Sequence, residues 1–279
     1  MTVAAETVAV TPRRGVLAFV RKHVLTAYAL LAFAYLLLPI AVVVAFSFND
    51  PAGRFNYTWQ GFTLKNWTNW NGVPGLTDAM SLSLQIAAIA AAVATILGTL
   101  IALALVRYGF RGRGATNLLV FLPMSTPEIV LGASLLALFL TMNVATGFAT
   151  ISIAHIMFCV SYVVVTVKAR LVGFDRHLEE AALDLGANEW TTFRKVTLPL
   201  IAPAILAGAL LSFALSVDDF VITYFNSGAE VTFPLFVWGA ARVGAPPQVN
   251  VIATAIFVVA LGAMLANILI QNRRTKGVA

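Results

Sequence analysis

Six long runs of almost entirely apolar residues decide what this chain can fold into: about 24–48, 80–106, 115–140, 147–172, 198–224 and 249–271. A helix crossing a bilayer needs roughly 17–25 such residues, and each run supplies them. The rest of the composition agrees. Hydrophobic residues make up 60% of the chain and charged residues 11%, against about 45–50% and about 25% in soluble domains. No water-soluble core absorbs so much apolar surface, which excludes a soluble enzyme and a disordered chain. The single cysteine, Cys159, lies inside an apolar run. That excludes a disulfide framework and a cysteine-based metal cluster. The expected fold is an all-α integral membrane protein with six transmembrane helices.

The first run follows Arg13, Arg14, Arg21 and Lys22, an arrangement also seen in secretory signals. It is too long for a signal's apolar region of about 7–15 residues, and no small-residue cleavage site closes it. It therefore reads as a retained span. Basic residues then set the orientation. With the N-terminus inside, the inner segments hold 15 of the 18 Lys and Arg residues. These are the four just named, Arg107, Arg111 and Arg113, then Lys168, Arg170, Arg176, Arg194 and Lys195, and finally Arg273, Arg274 and Lys276. The outer segments hold Arg54, Lys65 and Arg242. This is a positive-inside bias, with both termini cytoplasmic, and it accounts for the net charge of +6 without a nucleic-acid partner.

The resulting organisation is a cytoplasmic tail at 1–23, a first transmembrane helix at 24–48, an outer loop at 49–79, a five-helix core at 80–271 and a cytoplasmic tail at 272–279. The outer loop carries Trp59, Trp67 and Trp70, suited to the headgroup level. The third and fourth spans are joined by only about six residues. Segment 225–248, with Pro234, Pro246 and Pro247, is expected to dip into the membrane boundary. No internal repeat relates 24–140 to 147–271, which weighs against an inverted-repeat secondary transporter.

The cytoplasmic loop at 175–199 differs from everything around it. Asp175 is placed to cap a helix, and acidic residues occupy the turn that follows. Leu178, Ala181, Ala182 and Leu185 recur at helical spacing. Gly186 sits where a left-handed glycine ends a helix. Asn188 can cap a second short helix carrying Trp190 and Phe193, which Pro199 is expected to separate from the fifth span. On periodicity alone this is an amphipathic elbow at the membrane surface. The order Glu180-Ala181-Ala182, Gly186 and Val196-Thr197-Leu198-Pro199 is more specific. It resembles the EAA loop of binding-protein-dependent ABC importer permeases, in which EAA is followed by three residues, glycine, nine residues, a hydrophobic residue, any residue and LP. Val196 stands where isoleucine is usual.

The resemblance implies the type I ABC importer permease fold, with this loop as the coupling helix that docks on a cytoplasmic ATPase. Glu180, Ala181, Ala182, Gly186, Leu198 and Pro199 would carry that coupling. The alanines would permit close approach, Glu180 would accept from a basic partner residue, and Gly186 would set the bend. ATP and its magnesium must bind elsewhere. A phosphate-cradling loop needs Gly-Lys-Ser or Gly-Lys-Thr, and the five lysines here precede His23, Asn66, Ala169, Val196 and Gly277. The chain is expected to be no enzyme in its own right and to hold no cofactor.

Ionisable residues within spans are costly and mark functional sites. Glu128, His155, Asp218 and Asp219 are such residues. At about 1.5 Å per residue, Glu128 would lie roughly 20 Å along the third span and Asp218 roughly 28 Å along the fifth. The two would share a layer with His155, which reads as an interhelical hydrogen-bonding residue. Asp219, followed by Phe220 and Tyr224, is the first choice for guiding a cation, and Asp218 the acid expected to cap or pair. Residues 213–228 (FALSVDDFVITYFNSG), with Phe233-Pro234-Leu235, 242–250 (RVGAPPQVN), Leu122-Pro123-Met124 and Pro127-Glu128-Ile129-Val130, resemble the C/I-type permeases of spermidine/putrescine ABC importers. That resemblance implies a homodimeric ABC ATPase, a second related permease and an extracytoplasmic polyamine-binding protein as partners, in a bacterial inner membrane. The Ser-x-Asp-Asp-Phe segment also occurs in permeases for iron and for aminoethylphosphonate. Another solute thus stays open, as does a stand-alone secondary transporter, against which the EAA loop argues.

Overall fold

The computed structural model describes residues 16–53 and 55–276, with the backbone alone for 16–22, 263–264 and 266–276. Arg13, Arg14 and Arg54 lie outside the described residues, and the side chains of Arg21, Lys22, Arg273, Arg274 and Lys276 are likewise not described. Twelve helices follow in chain order: α1 Val16–Phe46, α2 Lys65–Thr68, α3 Leu76–Arg107, α4 Arg113–Ser125, α5 Glu128–Thr141, α6 Phe148–Val172, α7 His177–Asp184, α8 Glu189–Thr192, α9 Leu198–Asp218, α10 Val221–Asn226, α11 Phe233–Val243 and α12 Pro247–Lys276. A π turn, Phe193–Thr197, joins α8 to α9. An isolated bridge between Asn49 and Phe62 is the strand-like feature among the described residues.

Four helical runs among the described residues are long and apolar enough to cross a membrane: His23–Phe46, Leu76–Arg107, Phe148–Val172 and Glu189–Asp218. A fifth is formed only if α4 and α5 are counted together, and they bend by 110° at their junction. The third run, where Pro127 leads us to expect a kink, is thus two helices. Pro127 has no N–H to continue a helix and disfavours helical backbone before it; Thr126 is extended and Glu128 begins a new helix. The fifth run also breaks, at Asp219 and Phe220. Conversely, Pro199 does not separate α8 from the fifth run. It falls in the first turn of α9, where a fixed φ is tolerated, and the wide turn before it takes up the mismatch. The described apolar part of α12 is the shorter stretch Pro247–Gly262.

The described residues form two compact units, one within 1–70 and 246–279, the other within 71–245. The last helix groups with the first. In the first unit the outer loop is built on Asn49, which is fully buried. Its Nδ2 donates to Asn56 Oδ1 (2.6 Å) and to the Thr58 carbonyl (2.8 Å), while its Oδ1 accepts from Gln60 N (2.7 Å). Phe48 stacks between Phe62 and Trp67 at centroid distances of 5.5 and 5.4 Å. Trp67 thereby belongs to the loop's own core, whereas Trp59 and Trp70 are exposed.

In the second unit, α3, α6 and α9 pack through small residues. Ala87, Ala90, Ala94 and Ala102 are fully buried on α3. Two apolar helices gain little by leaving lipid, so close backbone approach and dispersion must supply the attraction. Val163 of α6 is the shared knob. A Cβ built on Gly98 of α3 would fall 2.6 Å from Val163 Cβ, and one on Gly208 of α9 would fall 3.4 Å from its Cα. We expect Gly98→Ala to destabilise by about 1–3 kcal/mol through overpacking, seen as a lower melting temperature in detergent. Gly262→Ala, with nothing within 4 Å of the new carbon, should leave melting unchanged.

Candidate functional site

The loop at 175–199 folds as its residues dictate. The Asp175 carboxylate accepts from the backbone N–H of His177 (3.0 Å) and meets its ring Nδ1 at 2.7 Å. The hydrogen bond from the His177 side chain holds the Asp175 carboxyl below its ordinary value, and the same bond holds the His177 ring above its own. α7 ends in a paired cap: Ala187 N donates to Ala182 O (3.1 Å) and Gly186 N to Leu183 O (2.9 Å). Gly186 has φ +87°, the left-handed state that glycine enters freely. Asn188 Oδ1 accepts from Thr191 N at 2.8 Å and caps α8. Glu180, Ala181, Leu178, Leu183, Leu185 and Trp190 all stand exposed. Apolar side chains of that size left open at one place mark an interaction surface. Leu198 is partly covered and Pro199 exposed.

Glu179, next to the motif, turns the other way. Its carboxylate forms a two-pronged ion pair with Arg107, the last residue of α3, with the Nη2–Oε1 contact at 2.7 Å. It also accepts the hydroxyl of Thr197. Arg107 lies over the Phe174 ring at 5.2 Å. Arg176 donates to the Val106 carbonyl (3.2 Å), Arg170 to that of Leu200 (3.1 Å) and Lys168 to Asn117 Oδ1 (2.7 Å). The motif reading passed over Glu179 and Arg107. Their 72-residue separation leaves no local signal, beyond a carboxylate next to Glu180 that points about 100° away from it.

A second cluster forms where the fifth run breaks. His155 of α6 is buried, with Nδ1 2.7 Å from Ser216 Oγ and Nε2 3.1 Å from Asp219 Oδ2 and 2.9 Å from Thr223 Oγ1. A carboxylate can only accept, so Nε2 carries a proton toward Asp219. Asp219 Oδ2 also accepts from the Thr223 backbone N–H (2.8 Å) and hydroxyl (2.9 Å), and Oδ1 from Ile222 N–H (3.4 Å). Asp219 thus caps α10, and its side chain is only 6% exposed. Asp219 is thus the acid that caps and pairs, while Asp218 is exposed at the end of α9. Burial and the orphan N–H groups at the start of α10 select Asp219 for the structural task.

Phe220 and Tyr224 come together at 5.6 Å between centroids, and Trp238 of α11 joins them 5.2 Å from Phe220. Arg242 covers the Trp238 face at 4.5 Å, a cation–π contact within the aromatic cluster. Trp238 was missed because it lies on another helix. Glu128 is exposed at the first residue of α5, where a helix N-terminus favours negative charge. It takes no part in the His155 hydrogen bonds.

Comparison with known proteins places these features in one family. Residues 94–273 match the family described as binding-protein-dependent transport system inner membrane component. The chain is 43% identical over 246 residues to the spermidine/putrescine transport system permease protein PotC of Escherichia coli K12, covering 88% of this chain and 92% of that one. It is 41% identical over 248 residues to the protein of the same name in Haemophilus influenzae, covering 88% and 96%. It is 42% identical over 239 residues to the putrescine transport system permease protein PotI of Escherichia coli K12, covering 81% and 83%. In fold it is similar to a chain of a bacterial ABC transporter that imports the acidic polysaccharide alginate, with TM-score 0.68 and 16% identity over 92% of this chain and 99% of that one. A chain of the MetNI methionine ABC transporter is similar with TM-score 0.55 and 16% identity over 69% and 94%.

The His155 cluster makes its own prediction. Removing either partner takes one bond from a buried network while the other keeps its bonds to neighbouring groups, so Asp219→Ala and His155→Ala should each destabilise by about 1–3 kcal/mol. The double variant should cost clearly less than the sum of the two, since both remove one network. Thermal unfolding of the purified protein in detergent measures this, and additive losses would contradict the pairing.

Proposed function

The chain belongs to the binding-protein-dependent transport system inner membrane component family, and we propose that it is the permease subunit of an ATP-driven importer carrying polyamines. Its relatives are permease subunits of ABC transporters, and it is a multi-pass bacterial inner-membrane component. The observation that carries the mechanism is the outward-facing EAA loop. Glu180, Ala181 and the apolar residues around Gly186 lie open, while the residues next to them are tied to α3 and α9. A homodimeric ATPase receives α7 on the cytoplasmic side and supplies the nucleotide chemistry. A second, related permease completes the path, and an extracytoplasmic binding protein delivers the cargo. Six spans with both termini cytoplasmic put α7 on the ATPase side, in line with the clustering of basic residues there.

The cargo reading rests on the named relatives and on charge. A polyamine carries at least two ammonium groups, which need acidic or aromatic relief to pass an apolar layer. Asp218 supplies an exposed carboxylate, with Phe220, Tyr224 and Trp238 as adjoining π-faces and Glu128 a further acid. Asp219 supports this path from behind by fixing the start of α10.

Two outcomes test the proposal in proteoliposomes holding the complete importer. Glu180→Lys and Gly186→Val should abolish binding-protein-stimulated ATP hydrolysis, with normal insertion in the membrane. At Gly186 the cause is backbone strain at φ +87° rather than a clash, since nothing lies within 4 Å of an added Cβ. Asp218→Asn should lower labelled spermidine uptake by about tenfold, the equivalent of roughly 1.4 kcal/mol, while melting stays as in the parent. Normal uptake in Asp218→Asn together with Glu128→Gln would contradict the acidic path.

A further inference from the structure

Glu179 lies outside the residues that the EAA motif assigns, yet it is the α7 acid that is turned inward. Glu180 and Asp184 are exposed, whereas Glu179 is only 18% exposed and its partner Arg107 only 17%. The Arg107 guanidinium grips both carboxylate oxygens from the C-terminal end of α3. A cation there is also favoured by the helix dipole. One of the same oxygens accepts the Thr197 hydroxyl, at the last residue of the π turn that leads into α9. Phe174 beneath the guanidinium and the Arg176 bond to the Val106 carbonyl hold the arginine end in place. One carboxylate thus joins three elements: the coupling helix, the end of α3 and the start of α9.

We infer that Glu179 is a positioning residue for energy coupling, tying α7 to two spans at once so that displacement of the loop moves both together. The inference rests on the reading that α7 docks on the ATPase. An exposed single-point ion pair is worth little and would slip under load. A two-pronged, partly shielded pair with a shared hydroxyl resists rotation about either bond. The π turn explains why a tie is needed at that point. Its hydrogen-bond register is wider than that of an α-helix, so force entering through α8 alone would be absorbed there before reaching α9.

The test uses the complete importer in proteoliposomes and reads labelled spermidine taken up per ATP hydrolysed. We expect Glu179→Gln and Arg107→Met to lower that ratio by about tenfold while the complex still copurifies, and Thr197→Val to lower it by about threefold, in proportion to the bonds lost. Arg107→Lys should fail to replace arginine, because an ammonium cannot grip both oxygens. The reversed pair, Arg107→Glu with Glu179→Arg, should recover most of the ratio, a rescue that identifies the link itself. Normal coupling in Glu179→Gln and Arg107→Met, alongside uncoupling by Glu180→Lys, overturns the tie and leaves the docking reading standing. Normal coupling in all three overturns both. Failed assembly of Glu179→Gln that the reversed pair does not repair makes the contact merely structural, and overturns the inference.

Discussion

Within hydrocarbon no water can take up a backbone N–H or C=O, so every interruption of a helix must be repaired from inside the protein. The structure meets that demand locally at each break. Before Glu128, the Ser125 hydroxyl lies 3.1 Å from both the Phe121 and Leu122 carbonyls, and the Thr126 hydroxyl is 2.7 Å from that of Leu122. After Asp218, the Asp219 carboxylate takes the free N–H groups of Ile222 and Thr223. Between α8 and α9 a π turn keeps the helix closed while changing its register. The residues with a functional reading sit at these same points: Glu128 at the first, Asp218, Phe220 and Tyr224 around the second, Leu198 and Pro199 at the third. A broken helix is where polar groups can be presented within an otherwise apolar bundle.

The same geometry explains why paired acids divide their labour. Neighbours on a helix point about 100° apart, so two carboxylates in a row cannot meet the same surroundings. Glu179 faces the span ends and Glu180 faces outward. At the end of α9 the chain turns, and Asp219 is drawn under His155 while Asp218 remains exposed. In each doublet one acid is consumed by the fold, and that frees its neighbour to meet something from outside.

Much of this was legible in the sequence, because the signals are local. Run length marked the apolar helices, Gly186 and Asn188 marked the turn between α7 and α8, and His155 was read as an interhelical hydrogen-bonding residue, as observed. Pro127 warned of a kink, though not of a 110° bend. What the sequence concealed depends on partners distant along the chain. Nothing local reveals that His155, 64 residues away, binds the Asp219 carboxylate. Trp238 and Arg107 were overlooked for the same reason. Pro199 misled because its effect depends on the turn before it: after a π turn it continues a helix that it would otherwise end.

The small-residue packing of α3, α6 and α9 gives these local features a mechanical setting. Gly98 and Gly208 let both neighbours press on Val163, and a close-packed interior transmits displacement instead of absorbing it. This block is tied at one end by Arg107, Arg170 and Lys168. At the other, Thr150 donates to the Asn226 carbonyl at 2.8 Å and Phe233 N to Ser83 Oγ at 2.9 Å. The bond to the Asn226 carbonyl ties the block to α10. There the chain is interrupted, and α10 is held by the Asp219 cap together with the side-chain bonds of its own Thr223 and Asn226. Rigidity along the block and a single capped break beside the aromatic platform are complementary. The first holds α3, α6 and α9 together, and the second leaves Asp218 exposed while Asp219 is held under His155.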